Sequence, residues 1–232
     1  MVRVTVGGPE LANFPGGGGD QHLVLYFYAE GVILPEPLTL TSARVAFNTA
    51  RPQMRSYTVR RHDPQRHEID LDFVLHGTDA PGSAWAATAR PGHRLILVGP
   101  SPAHRLAPGR HLLAGDETAL PAIAALLAEL PADSTARVLI EVADGAEEQP
   151  LAGADRAEIT WLHRDGADPG RPDLLLTAVQ ALKVPADTQV WAAGERAVMR
   201  ELRAHLQRPG GLPRRQVRTT AYWRLGHVGT AT

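Results

Sequence analysis

The strongest constraint on how this chain folds is a change of rhythm near its middle. Before about residue 104 it reads as short β segments separated by Gly and Pro; after Pro108 strands alternate with helical stretches. The first pattern predicts a small antiparallel barrel, because alternating side chains give each strand one core-facing side. The second predicts a parallel sheet covered by helices. Strands are expected at Val2 to Val6, His22 to Tyr28, Arg55 to Arg60, His67 to Leu75 and Arg94 to Val98, with one intruding helix from Gly82 to Ala89. In the clearest strand Ile69, Leu71, Phe73 and Leu75 share a core-facing side, with Asp70 and Asp72 opposite. Gly16 to Gly19 and the neighbourhoods of Pro35, Pro37 and Pro52 read as loops.

Beyond the boundary, strands are expected at His111 to Ala114, Arg137 to Val142, Glu158 to Leu162, Gln189 to Ala192 and Gln216 to Ala221. Helices at Leu120 to Leu130, Pro172 to Leu182 and Glu195 to Leu206 separate them. The chain of 232 residues thus divides into an antiparallel barrel domain, residues 1–106, and an α/β domain, residues 107–232. Each is of a size that one hydrophobic core can stabilise.

Composition narrows the chemistry. With no cysteine, the chain holds no disulfide, thiolate zinc site or cysteine-ligated iron–sulfur cluster, so redox work would need an organic cofactor. No His-x-x-x-His pair falls on a helical stretch among its ten histidines, and no metal site is expected. A net charge of -1 offers no electrostatic footprint for nucleic acid. No apolar run approaches the roughly 20 residues a membrane span requires, and Met1 to Val6 alternates like a strand, so a cytoplasmic protein without a membrane partner is expected.

Three segments carry candidate chemistry. Arg55-Ser56-Tyr57-Thr58-Val59-Arg60 places a guanidinium suited to pyrophosphate, a phenol that can stack on a flavin ring, and a hydroxyl or amide that can reach its N5. On a strand Arg55 and Tyr57 share a face while Thr58 lies opposite, so a bend is needed to aim all three at one cofactor. An ordinary strand with an exposed Arg and a core Tyr would read the same way. Asp72 to Gly77 followed by Pro81-Gly82-Ser83-Ala84-Trp85 runs from a strand into a helix N-terminus, where the amides of Gly82, Ser83 and Ala84 could hold phosphate and His76 could touch the cofactor. Ser83 as a cap and Trp85 as core packing are the plainer alternatives, and for Trp85 the plainer one is preferred. Gly115 to Ile123 opens the second domain with Thr118 as a helix cap and Pro121 in the first turn; Asp116 and Thr118 could bridge two cofactors there.

With Val190-Trp191-Ala192-Ala193-Gly194-Glu195 and Tyr222-Trp223-Arg224-Leu225-Gly226, these segments form five landmarks in order along nearly the whole chain. They resemble the siderophore-interacting proteins, FAD-binding members related to vibriobactin-utilisation proteins within the ferredoxin-reductase-like superfamily. The resemblance implies FAD between the domains, with Arg55, Tyr57, Thr58, Val59, His76, Gly82, Ser83 and Ala84 around it. It also implies NADH or NADPH as donor and a ferric siderophore as acceptor. Family members usually carry a strand-forming stretch ahead of the segment matching Val2 to Gly8, so either a first strand is missing or the start is shortened, and barrel closure is left open. The Gly99-Pro100-Ser101-Pro102 loop should be stiffer than the family's.

Trp161-Leu162-His163-Arg164 ends a strand where related reductases place basic groups, making Arg164 a candidate reader of the NADPH 2′-phosphate or an exposed strand-end charge. Leu202 to Thr232 contains six arginines and no acid. Arg214, Arg215, Arg218 and Arg224 are the candidate rim for an anionic siderophore, a solvated surface being the alternative. A monomer or weak oligomer is expected.

Overall fold

The computed structural model describes residues 1–75, 80–171 and 173–227. The first unit contains β1 (Val2–Gly7), β2 (His22–Phe27), α1 (Leu40–Ala50), β3 (Gln53–Asp63), β4 (Glu68–Phe73), α2 (Pro81–Thr88) and β5 (Ile96–Val98). Its strands form an antiparallel sheet in the order β1-β4-β3-β2-β5. β3 changes partner midway: Gln53 to Thr58 pair with β2, and Val59 to Asp63 pair with β4, with an irregularity between Val59 and Arg61. That bulge turns the sheet around a core of Leu23, Leu25, Phe27, Val59, Ile69, Leu71 and Phe73. Among the described residues β1 and β5 do not pair, so the barrel is open between them.

Trp85 packs in this core as expected, its ring 5.7 Å from Phe73 and 6.2 Å from Phe27. Two expectations need correction. Leu75 lies past the end of β4 and is 47% exposed, so it does not line the core. The opposite face of β4 is also covered: Asp70 and Asp72 are buried. The antiparallel register sets Arg3 across from Asp72 and Thr5 across from Asp70. Arg3 donates to Asp72 at 2.6 and 2.8 Å, while Thr5 and Arg61 each reach Asp70 at 2.7 Å. Paired in this way, the carboxylates can leave water. The segment between Pro37 and Pro52 is not all loop, because Thr39 and Ser42 close a capping box that starts α1.

The second unit contains β6 (Arg110–Asp116), α3 (Leu120–Ala128), β7 (Thr135–Val142), β8 (Ala157–His163), α4 (Asp173–Ala181), β9 (Gln189–Glu195), α5 (Arg196–Leu206) and β10 (Val217–Trp223). All five strands are parallel, in the order β10-β9-β6-β7-β8. The central strands are apolar on both faces, as a sheet covered on both sides requires. Leu113, Val138, Ile140 and Trp191 pack with α3, and Leu112, Leu139 and Val190 pack with α4 and α5.

The units meet where α3 touches β3 and where the Gly16 to Gln21 loop crosses α3. A Cβ at Gly19 would fall 2.6 Å from the Leu126 backbone, so this close approach requires glycine. Among the described residues, no helix is long and apolar enough to cross a membrane.

Candidate functional site

On β3, Arg55 and Tyr57 share a face and Thr58 points the other way. Tyr57 packs 4.3 Å from Phe73, and its hydroxyl reaches the start of α2. A Cβ at Gly82 would lie 1.9 Å from the Tyr57 Oη, so the glycine is what admits the phenol. Burial pushes Tyr57 up to about 12, while nearby Arg55 acts against that rise. A neutral phenol and the first turn of a helix therefore meet, on the face of β3 that also carries Arg55, whose guanidinium donates to Met54 O at 2.7 Å; these groups fit the flavin and pyrophosphate of FAD. Ser83 lies buried in that turn. Ala84 drops out of the expected phosphate set, because its amide already donates to Ala80 O at 2.9 Å in the first helical bond. His76 lies outside the described residues. Val59 points into the barrel core, and its amide donates to Gln21 O at 2.8 Å.

At the carboxyl ends of the parallel strands, Asp116 is buried and accepts from Thr118 N at 2.9 Å, Thr118 Oγ1 at 2.5 Å, Glu195 N at 3.1 Å and Trp223 Nε1 at 2.7 Å. These bonds tie together the ends of β6, β9 and β10. With its oxygens committed to these donors, Asp116 is a structural anchor. Thr118 bonds back to it, and the α3 cap falls on Ala119 with no side-chain cap bond; Pro121 is in the first turn as expected. Glu195 caps α5 by accepting from Ala197 N and Val198 N.

Arg164 also differs from expectation. It is neither exposed nor free: its guanidinium is buried, donating to Glu117 at 2.5 and 2.7 Å with Glu141 at 3.5 Å. The hydrogen bond to Glu117 holds the guanidinium above its ordinary pKa. A cation committed to two carboxylates is a poor reader of phosphate.

The basic tail is split by β10. Arg214 and Arg215 form a 3-10 turn at its amino end, anchored where Gln216 donates to Ala186 O and Thr188 O. Arg224 follows its carboxyl end and is exposed. Seven strand residues put about 20 Å between them. Arg214 and Arg215 thus lie at the opposite end of the sheet from Trp223, Glu195 and Asp116, and the expected single rim does not form.

A cluster the sequence did not reveal lies between the units. Asp20, buried, accepts from Trp191 Nε1 at 3.1 Å, Tyr222 Oη at 2.9 Å and Arg218 at 3.3 Å. Burial, then Asp20, raise Tyr222 well above its ordinary pKa, while a hydrogen bond from Thr58 opposes the rise. The available clue was the glycine run Gly16 to Gly19, which permits so close a crossing.

Comparisons with known proteins agree with this layout. Residues 108–226 match the family model described as siderophore-interacting protein, and residues 1–104 match the siderophore-interacting FAD-binding domain. The ferric vibriobactin reductase ViuB of Vibrio cholerae is 33% identical, across 97% of this chain and 84% of that protein. The NADPH-dependent ferric-chelate reductase of Escherichia coli is 30% identical, across 95% of this chain and 86% of that protein. The crystal structure of a siderophore utilization protein from T. fusca superposes with a TM-score of 0.83 at 38% identity, covering 98% of this chain and 88% of that one. The pairing of an open antiparallel barrel with a parallel sheet is the ferredoxin-reductase-like fold. By sequence and by fold, the chain belongs to the siderophore-interacting protein family.

Proposed function

We propose that this protein is an FAD-dependent reductase that takes electrons from NADH or NADPH and delivers them to iron held in a ferric siderophore. The observation that carries the reading is the contact of the Tyr57 hydroxyl with Gly82, which brings the flavin-type strand segment and the α2 terminus into one cradle. FAD, when bound, supplies a ring that accepts two electrons as a hydride and gives them up singly. Arg55 and the first turn of α2 hold its pyrophosphate, with Gly82 and Ser83 lining that turn. Tyr57 packs beside the ring as a neutral phenol. Thr58, on the opposite face of β3, would flank the flavin from the other side of that strand. Arg218 and Arg224 attract the anionic chelate. Reduction of Fe(III), a hard ion gripped by oxygen donors, to softer Fe(II) loosens that grip and releases the metal.

The test is spectroscopic. The protein reconstituted with FAD should be yellow, bleach anaerobically on adding NADPH or NADH, and regain colour when a ferric siderophore is added, with Fe(II) appearing in a ferrous trap. Failure to bind FAD overturns the reading, and so does a reduced protein that ferric siderophores do not reoxidise.

A further inference from the structure

We propose that the groove at the amino end of the parallel sheet is a second ligand site, which takes a small phosphate ester carrying a flat apolar ring. The inference stands apart from the proposed reductase, whose cofactor cradle is built from β3 and α2.

The sheet register assembles the site. Leu112 lies across from Val190 on one side and Arg137 on the other, and Arg137 lies across from Glu158. Leu112, Leu139 and Val190 face α4 and α5. Side chains alternate along a strand, so Arg110, Arg137 and Thr188, two residues before Val190, share that face. The chain leaving α4 covers them: Leu182 and Val184 pack on the same core, and Pro185 follows. The groove so formed holds about 570 Å³, within the roughly 300–1,000 Å³ of small-molecule sites. Its apolar walls suit a ring. Its charge suits a dianion, because four cations line it, Arg110, Arg137, Arg156 and Lys183, against two carboxylates, Asp155 and Glu158.

Three of the cations are available. Lys183 is exposed and makes no ion pair or hydrogen bond among the described residues. Arg110 meets only Asp187, at 3.5 Å, and both side chains are largely in water. Arg137 donates to Glu158, itself an exposed carboxylate. Surface pairs of this kind are weak, so an entering anion can share these guanidinium groups. Arg156 is spent on Leu130 O and Pro131 O at 2.6 and 2.8 Å and serves as wall.

Thr188 supplies an independent observation. It is 2% exposed, and its hydroxyl has no hydrogen-bond partner among the described residues. Its amide donates to Pro185 O and its carbonyl accepts from Gln216 Nε2, each at 3.1 Å, so the backbone fixes where the hydroxyl sits. A buried hydroxyl left unpaired is costly, and a ligand oxygen removes that cost. A phosphate ester has three terminal oxygens, enough for Lys183, Arg110 and Thr188 together.

The probe is 1-naphthyl phosphate, titrated calorimetrically into the full-length protein at low salt. It should saturate at one per chain with a Kd of about 0.1 mM. 1-Naphthol, which lacks the charge, and inorganic phosphate, which lacks the ring, should each bind at least about tenfold more weakly. Lys183→Glu should weaken naphthyl phosphate by about tenfold or more, since a charge-assisted bond is replaced by repulsion. Thr188→Val should weaken it about fivefold while raising the melting temperature, because the unpaired hydroxyl is gone.

Affinity within twofold of wild type in both variants overturns the site, as does no saturation below about 10 mM. Inorganic phosphate binding as tightly as the ester would mean an adventitious ion only, and naphthol doing so would mean an apolar patch only; either result overturns the proposal. A Thr188→Val protein with lowered melting temperature and unchanged affinity would make the hydroxyl structural, which overturns its role as a ligand group. Should Thr188→Val fail to fold, Lys183→Glu and Arg110→Ser decide between the same outcomes. Failure to bind FAD would sink the reductase reading and leave this measurement untouched.

Discussion

The two ends of the parallel sheet are built on opposite plans. At the carboxyl end Asp116, Glu195 and the Arg164, Glu117 and Glu141 group are buried and bonded to one another or to backbone amides. At the amino end a groove of about 570 Å³ lies open among Arg110, Arg137, Arg156, Lys183 and Pro185. Its ion pairs, Arg110 with Asp187 and Arg137 with Glu158, are at the surface. Ample space and positive charge at the amino end do not make it the reactive end. In open parallel sheets ligands bind outside the carboxyl ends of the strands, and that is where the charged side chains are gathered into one bonded group.

The contrast can be tested by removing charge at each end. The largest effect should come from Asp116→Ala, which strands the Trp223 and Glu195 donors inside the protein. Buried donors left without acceptors cost about 1–3 kcal/mol each, so a loss of about 3 kcal/mol or more is expected in urea unfolding. A loss under about 1 kcal/mol would mean that the framework does not hold that end.

Next, Arg224→Ser should lower the rate with an anionic ferric siderophore by about tenfold at low salt. Arg214→Ser with Arg215→Ser, at the far end, should barely change it. Raising ionic strength above about 0.1 M should narrow the first difference, because exposed charges are then screened within about 10 Å. Equal losses from both ends would break the comparison.

A pH effect at the carboxyl end should be smaller. Burial, then Asp116, raise Glu141 to about 6 from an ordinary 4.5, and Arg164 opposes the rise. An acid with a raised pKa binds its proton more tightly when folded. Its stabilising contribution is therefore full below about pH 4.5 and lost as pH climbs through about 6. Across that window wild-type stability should decline relative to Glu141→Gln, as followed by thermal unfolding; parallel curves would refute the assignment. Smallest of all, Arg110→Ala at the open end should cost under about 1 kcal/mol, since its pair with Asp187 is in water.

Much of the fold was legible in the sequence because its signals are local. The change from strand-only to strand-and-helix rhythm, the period-two pattern of Ile69, Leu71 and Phe73, and Pro121 at a helix start each depend on near neighbours. α1 was missed because Pro37 and Pro52 mask a helix whose capping box spans only Thr39 to Ser42. The flavin-type segments were also legible, since Arg55, Tyr57 and Gly82 are read as short motifs.

What only the tertiary structure decided is where charges and hydroxyls end up. Arg164 is a strand-end cation in sequence, yet folding places Glu117, 47 residues away, against it and buries both. Arg214 and Arg224 are near neighbours along the chain, yet an extended strand sends them to opposite ends of the sheet. Asp20 meets Tyr222 across 202 positions, through a glycine loop with no pattern of its own. The physical reason is common to all three. Hydrophobic periodicity fixes which side of an element faces the core, residue by residue, but the partner of a buried polar group is set by the packing of distant elements.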